Sequence, residues 1–168
     1  MKNFLLGTLV IMATLNSTYA MEKDTQSAIN QIPHEEIIGK SIQDKITIQG
    51  ICTIDHDIFF EDGGSIVIAP RAKLILGNKK KKITLHNIKI DSLSFADDSS
   101  RIKLVGDVTL DFAEAVCFRQ GILFIPAPRT LHLISDTPGI SNFFGPRFEV
   151  MQSPLAKIQW SKRPLATA

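Results

Sequence analysis

The chain has 168 residues, of which 44% are hydrophobic and 21% are charged, so it is long and apolar enough to bury the core of one domain. A globally disordered chain is excluded by the same composition. Its 19 basic and 17 acidic residues give a formal net charge of +2, which argues against a dedicated nucleic-acid-binding protein with its one-sided basic excess.

The first twenty residues have the pattern of a secretory signal peptide. Lys2 supplies an early positive charge, an apolar run extends from Phe4 to Leu15, and small residues stand at Thr18 and Ala20. The alternative, an uncleaved membrane anchor, is disfavoured because the run is shorter than the about 20 residues that a span needs. We therefore expect cleavage after Ala20, no transmembrane segment in the mature chain, and export to the periplasm, the cell surface or the extracellular medium.

Residues 21–44 are predicted to be a leader followed by a capping helix. Pro33 opens the sequence "PHEEIIGKSIQ", and Glu35 and Glu36 fall in the first turn, where acidic side chains interact favourably with the helix dipole. The isoleucines of this segment lie on one side of such a helix. Residues 33–43 are thus expected to cover the unpaired backbone at the N-terminal end of the following β-structure.

From residue 45 to residue 135 the chain alternates apolar and polar residues in short segments, the period-2 pattern of strands that bury one face. Taking each pair of strands as one turn, we predict inward positions at 46/48 with 52/54, 66/68 with 74/76, 83/90 with 93/95, 102/104 with 108/110, and 122/124 with 131/133. The pairs start roughly twenty residues apart, as solenoid repeats do. Residues 136–168 are predicted to form a C-terminal cap and a frayed tail, with Phe148, Val150, Ile158 and Trp160 as candidates for a last turn.

Whole phrases also recur along the chain. "KITIQGICTID" (45–55) matches "RIKLVGDVTLD" (101–111), and "GGSIVIAPRAKLIL" (63–76) matches "QGILFIPAPRTLHLI" (120–134). Stacked turns of a solenoid must present the same inward pattern, whereas the alternative fold, an antiparallel β-sandwich, has no such requirement. The predicted fold is therefore all-β, a short parallel β-solenoid (β-helix) of about five to six turns.

The form of "GGSIVIAPRAKLIL", with two glycines, an alternating strand, a three-residue turn and a second alternating strand, resembles the repeats of bacterial surface β-helix proteins, namely autotransporter passenger domains and filamentous adhesins. The resemblance implies a right-handed parallel β-helix used for display or attachment. Together with the leader, it predicts an exported, non-catalytic envelope or surface protein of structural or adhesion type. A polysaccharide or another envelope protein is the expected partner, with no cofactor and no specific nucleic acid.

Acidic residues that follow the predicted strands are weak candidates for catalysis. Asp55, His56 and Asp57 are the first of these, because the predicted fold resembles β-helix polysaccharide enzymes and carboxylates on neighbouring turns reach the separations used in glycoside hydrolysis. The favoured alternative is that these residues occupy turns because they accept local hydrogen bonds. A carbohydrate-active enzyme is therefore the alternative function, and the sequence leans away from an enzyme.

One dense charge run suggests a third function, that of a polyanion-binding module. Four adjacent lysines at a loop tip are able to hold an anionic polysaccharide, a lipid headgroup or a nucleic acid; the competing interpretation is a solvated loop that keeps strand edges from pairing. The four candidate residues are Lys79, Lys80, Lys81 and Lys82.

The two cysteines, Cys52 and Cys117, are predicted to be buried free thiols. They lie about three rungs apart in the predicted coil, ~14 Å, whereas a disulfide needs Cα atoms within ~7 Å. Two cysteines without clustered histidines also fall short of a zinc site, so no metal is expected.

Overall fold

The computed structural model describes residues 41–136 and 139–164, and in these ranges the chain is all-β. One 3₁₀ helix, Ile140–Phe143, is the only helical element there. The thirteen strands are β1 (Lys45–Ile48), β2 (Ile51–Ile54), β3 (Ile58–Phe59), β4 (Ser65–Ile68), β5 (Lys73–Leu76), β6 (Ile83–Ile88), β7 (Leu93–Phe95), β8 (Arg101–Leu104), β9 (Val108–Phe112), β10 (Phe118–Ile125), β11 (Thr130–Ile134), β12 (Phe144–Gln152) and β13 (Lys157–Ser161).

The strands pair in parallel and form three sheets. Sheet A has the order β1-β4-β7, sheet B the order β2-β5-β8-β10-β12, and sheet C the order β3-β6-β9-β11-β13. Strands β1 to β9 enter sheets A, B and C in rotation, so three strands make one turn there, whereas β10 to β13 alternate between sheets B and C. Together the strands form a β-solenoid of about four turns. The predicted fold class is confirmed, although the predicted number of turns is slightly too high because two strands, rather than three, were assigned to the turns that β1 to β9 form.

The register of the strands excludes the antiparallel sandwich. Ile46 of β1 lies directly beside Ile66 of β4 in a parallel ladder. Ile48 and Leu104, both expected inside, are 1% and 0% exposed. Inward side chains of successive turns stack into one apolar column, and burial of each isoleucine or leucine stabilises the fold by roughly 1.5–3 kcal/mol.

The repetitive character of the chain is confirmed, but the repeated phrases do not stack on each other. Residues 63–76 form β4 and β5 of sheets A and B, whereas residues 120–134 contain most of β10 and all of β11, in sheets B and C. Residues 45–55 and 101–111 are displaced from each other by one sheet in the same way. The phrases therefore share a strand-turn-strand pattern that serves at more than one corner of the solenoid.

Three of the predicted inward positions are wrong. In β10, Leu123 and Ile125 are buried, whereas Ile122 and Phe124 face outward. All four of these residues are apolar, so alternation alone does not set the phase of the strand. Ile90, expected to be inward, follows the end of β6 and is 63% exposed.

The predicted capping helix is wrong in the part that the structure describes. Ile42 forms a parallel β-bridge with Phe60, and its backbone N–H donates to Phe59 O at 2.8 Å. Gly64 passes so close to this segment that a Cβ there would lie 1.8 Å from Ile42 O. Residues 41–43 thus continue the β-structure, while residues 33–40, the rest of the leader and the predicted signal peptide (1–20) lie outside the described residues.

Aromatic rings fill the interior near the last turn. Phe143 is fully buried, and its ring centroid lies 4.8 Å from that of Phe112. Phe144 and Phe148 stack on each other at 5.2 Å. These contacts place the C-terminal phenylalanines against the core near the last turn. Strand β12 pairs with β10, with one register shift between Phe118 and Gln120, and β13 pairs with β11.

The two cysteines differ in burial. Cys52 and Cys117 are both free, as expected, but only Cys52 is buried, whereas Cys117 is exposed. Cys117 stands just before β10 in a segment that belongs to no strand, so the expectation that it is buried is wrong. Burial raises the pKa of the Cys52 thiol.

Candidate functional site

Both sequence-predicted sites lie at one corner of the solenoid, where the chain passes from sheet B to sheet C. We call this corner BC. Asp55, His56 and Asp57 connect β2 to β3, and Lys79–Lys82 lie in the connection from β5 to β6, one turn further on. The side-chain amide of Asn78 donates to Asp55 O at 3.3 Å and so links the two connections. The structure therefore brings together two sites that the sequence predicted separately.

Glycine at two positions allows the turns to approach at this corner. Gly77 has a φ of +117°, and a Cβ there would lie 2.5 Å from Gly106 N on the next turn. A Cβ at Gly106 would in turn lie 2.2 Å from Asn78 O. Beyond Gly77, Asn78 Oδ1 accepts a hydrogen bond from Lys80 N at 2.9 Å, which shapes the lysine-bearing loop.

Asp57 has a structural hydrogen bond that links two turns. Its Oδ1 accepts a hydrogen bond from Thr84 N at 2.8 Å. Asp107 makes the same contact two turns above, with Thr130 N at 2.8 Å. Each aspartate stands immediately before a strand of sheet C and accepts from the next strand of that sheet, so the pattern belongs to the stacking of the solenoid.

Asp55 and His56 form a local pair. His56 Nδ1 lies 2.8 Å from Asp55 Oδ1, and the two residues are neighbours in the chain. A glycosidase of either stereochemical class needs a second carboxylate across the substrate, and Asp57 is the nearest candidate in sequence. Because the Asp57 carboxylate is already bonded to Thr84 N, the three predicted residues do not form a pair of free carboxylates.

Lys82 behaves differently from the other three lysines of the loop. Its side chain reaches over the outer face of sheet C, where Nζ lies 3.5 Å from His132 Nδ1. His132 Nε2 lies 2.9 Å from Ser161 Oγ on the neighbouring strand. Desolvation, with a smaller contribution from the Lys82 charge, lowers the pKa of His132.

The Ser161–His132 contact does not have the protonation needed for a nucleophilic dyad. A lysine ammonium can only donate, so the contact with Lys82 assigns Nδ1 as the acceptor and the single proton of the neutral ring to Nε2. Nε2 then donates to Ser161 Oγ. A general base must accept the hydroxyl proton instead, so this arrangement orders the face of sheet C without activating the serine.

A second polar group on sheet C ties the end of the described chain to the solenoid. Arg163 Nη2 donates to Asp111 Oδ1 at 3.0 Å and also to Phe112 O. His86 Nδ1 stands 3.7 Å from the other carboxylate oxygen of Asp111. Sequence analysis missed this cluster because its members come from separate turns. The one signal that could have indicated this cluster is the outward position of His86 and Asp111 on neighbouring strands of sheet C.

Among the described strands, those of sheet B carry more lysine and arginine than those of the other two sheets, and sequence analysis missed the surface that they form. We call it the basic face, defined by Lys73, Arg101 and Lys103. Lys73 and Arg101 lie side by side on adjacent strands, and Lys103 follows two residues along β8 on the same side. The Lys103 ammonium stands 5.8 Å from the Phe124 ring centroid, within the range of a cation–π contact. Glu149 is the only acidic residue in the five strands of sheet B.

Residues around Arg101 form a shallow groove. It has a volume of about 380 Å³ and is lined by the three cations of the basic face together with Ile122, Phe124 and Met151. The groove is thus cationic on one side and apolar on the other. Within the described residues no three His, Cys, Asp or Glu side chains come together as a metal site requires.

No protein-family model, curated protein or solved structure matches the chain. Among the residues that the structure describes, no helix has both the length and the apolar character of a membrane span. The function must therefore be inferred from corner BC, the outer face of sheet C and the basic face.

Proposed function

We propose that the protein is an exported, non-catalytic β-solenoid that binds a polyanion of the cell envelope. The binding surface comprises the basic face and the adjoining Lys79, Lys80 and Lys81 of corner BC. The observation that carries the proposal is the register that places Lys73 beside Arg101, 28 residues further along the chain, with Lys103 on the same face of β8.

Charge distribution supports this proposal more strongly than net charge does. No ion pair among the described residues involves Lys73, Arg101 or Lys103. The loop lysines follow β5, the strand that carries Lys73, and are exposed. Cations grouped on one surface raise the local concentration of an anionic ligand even when the whole chain is almost neutral.

The hydrogen bonds of the catalytic candidates support a non-catalytic role. Asp57 is bonded to the backbone of the next turn. In the tautomer assigned from the Lys82 contact, His132 Nε2 donates to Ser161 Oγ and so does not act as a base toward it. Export is supported by the sequence of residues 1–20, whose pattern is that of a cleaved leader.

Salt elution from immobilised heparin, an anionic polysaccharide, tests the binding surface. The chain beginning at Met21 is compared with two variants, K73Q/R101Q/K103Q and K79Q/K80Q/K81Q, and with the control K45Q/K157Q/K162Q, which removes the same number of exposed charges from outside sheet B. We expect both variants to elute at lower salt and the control to elute with the unmodified chain. Equal early elution of the control would show that only total charge matters.

Two further measurements address the other parts of the proposal. N-terminal sequencing of the protein recovered from the producing cell is expected to begin at Met21, and a mature chain that begins at Met1 would contradict export. Hydrolysis or elimination on neutral and acidic glycans is expected to be absent. Glycan cleavage that disappears in D55A/D57A would establish the carbohydrate-active alternative instead.

A further inference from the structure

We infer that the polyanion is the surface of a bilayer rich in anionic phospholipid, on which the outer face of sheet B lies flat. This inference rests on the proposed function and names its partner. The observation behind it is the combination, on one sheet face, of unpaired cations with exposed aliphatic side chains.

The apolar residues of this face stand in the same columns as its cations. One column contains, in order, Ile51, Lys73, Arg101, Ile122 and, at its far end, the single carboxylate Glu149. Ile51 is 69% exposed at one end of the face, and Met151 is 46% exposed at the other. The half-buried outward residues between these ends are Ile75, Ile122 and Phe124.

A bilayer interface uses both kinds of side chain. Anionic headgroups attract lysine and arginine, and the boundary with the acyl chains buries apolar groups. A hydrated polysaccharide uses the cations but offers no apolar phase for exposed isoleucine and methionine. The composition of the face therefore favours a lipid surface over a soluble anionic polymer.

The shape of the face allows its residues to approach a surface together. Five parallel strands at the usual spacing span ~19 Å, and their outward side chains stand on one side. Lysine and arginine stems are able to lie along apolar surface while their charges reach the headgroups. The outer face of sheet C lacks this character because its strands contain a single lysine, Lys157, and the Asp111 carboxylate on β9 is already paired with Arg163, which follows β13.

Co-sedimentation with vesicles tests the inference. Vesicles of phosphatidylcholine alone are compared with vesicles in which about one-third of the lipid is phosphatidylglycerol, a fraction that gives a strongly negative surface. We expect binding to the anionic vesicles only. The variant K73Q/R101Q/K103Q should have a vesicle partition coefficient lower by a factor on the order of 100, because it lacks three cations that interact with the anionic surface.

Two double variants separate lipid insertion from charge. I51S/M151S removes the exposed apolar side chains of sheet B, and I90S/F59S removes residues of similar exposure, 63% and 45%, from outside that sheet. We expect I51S/M151S to lose about tenfold in vesicle binding, since partial burial of two apolar side chains accounts for that amount. Its heparin elution should not change, and I90S/F59S should bind vesicles as the unmodified chain does.

Any other result contradicts either the lipid partner, the proposed function or the assignment to sheet B. Retention on heparin without vesicle binding would refute the lipid partner and leave the proposed function intact. Failure to bind either would refute both. Equal binding to the two kinds of vesicle, or an equal loss in both double variants, would refute the assignment to sheet B; circular dichroism of each variant ensures that the comparison is made on folded protein.

Discussion

Replacement of Gly77 by alanine tests the close approach of successive turns at corner BC. The added Cβ would lie 2.5 Å from Gly106 N and 2.8 Å from Gly106 Cα, both of which are backbone atoms that cannot rotate away. The φ of Gly77, +117°, is also one that L-residues rarely adopt. The substitution therefore imposes both backbone strain and a steric clash.

These two effects set the size of the expected loss. Strain at an unfavourable φ costs about 1–3 kcal/mol, and forcing extra volume into a packed region costs about 1–3 kcal/mol more. We expect the free energy of unfolding to fall by about 4 kcal/mol in Gly77→Ala. For a chain of this size the melting temperature should fall by roughly 10 °C.

Gly139→Ala is the matched control for this experiment. Gly139 also has a positive φ, +85°, but the nearest atom to an added Cβ is Asn142 Nδ2 at 3.9 Å, an ordinary contact. Only the backbone cost, about 1–3 kcal/mol, should appear there. Urea unfolding followed by circular dichroism measures both variants. Equal losses, or no loss in Gly77→Ala, would refute the stacking of Gly77 on Gly106.

Two further predictions concern titration and thiol reactivity. Because the pKa of His132 is lowered in the fold, the unfolded chain binds the proton more strongly, so stability is lost as the pH falls below about 6.5. Urea midpoints at about pH 7.5 and about pH 5.5 should therefore differ less in His132→Gln than in the unmodified chain; equal differences would contradict this effect. With Ellman's reagent, exposed Cys117 should react in the native protein, whereas buried Cys52 should react only on unfolding. Two thiols that react rapidly in the native state would contradict the assigned burial.

The sequence predicted the parallel coil because the inward alternation is clear where polar residues separate apolar ones. Ile46 and Ile66 stand in "KITI" and "SIVI", and the structure pairs them directly. In "GILFI", by contrast, every candidate position is apolar, and the predicted phase was wrong. Local periodicity also cannot show how many strands complete a turn. That number depends on which strands, far apart in the sequence, become neighbours in the same sheet.

The same limit explains which parts of the candidate site were predicted. Lys79–Lys82 are adjacent in the sequence and were visible as a charge run. His86, Asp111 and Arg163 come from separate turns, and no local pattern joins them. The basic face was hidden for an additional reason, since placing Phe124 inside removed an outward residue that lies against Lys103.

In a parallel solenoid, residues adjacent in the sequence are a poor guide to a binding surface. Successive side chains of a strand point to opposite faces of the sheet. The nearest outward neighbours of an outward residue are therefore two residues away along the same strand and one turn away on the adjacent strand. Asp55, His56 and Asp57 form a motif in sequence, but the Asp57 carboxylate accepts a hydrogen bond from Thr84 N of the next turn and so takes part in the stacking. Lys73 and Arg101 form no motif, yet they stand side by side. Variants that test the function of this chain should therefore replace outward residues that are neighbours on adjacent strands, rather than residues that are neighbours in the sequence.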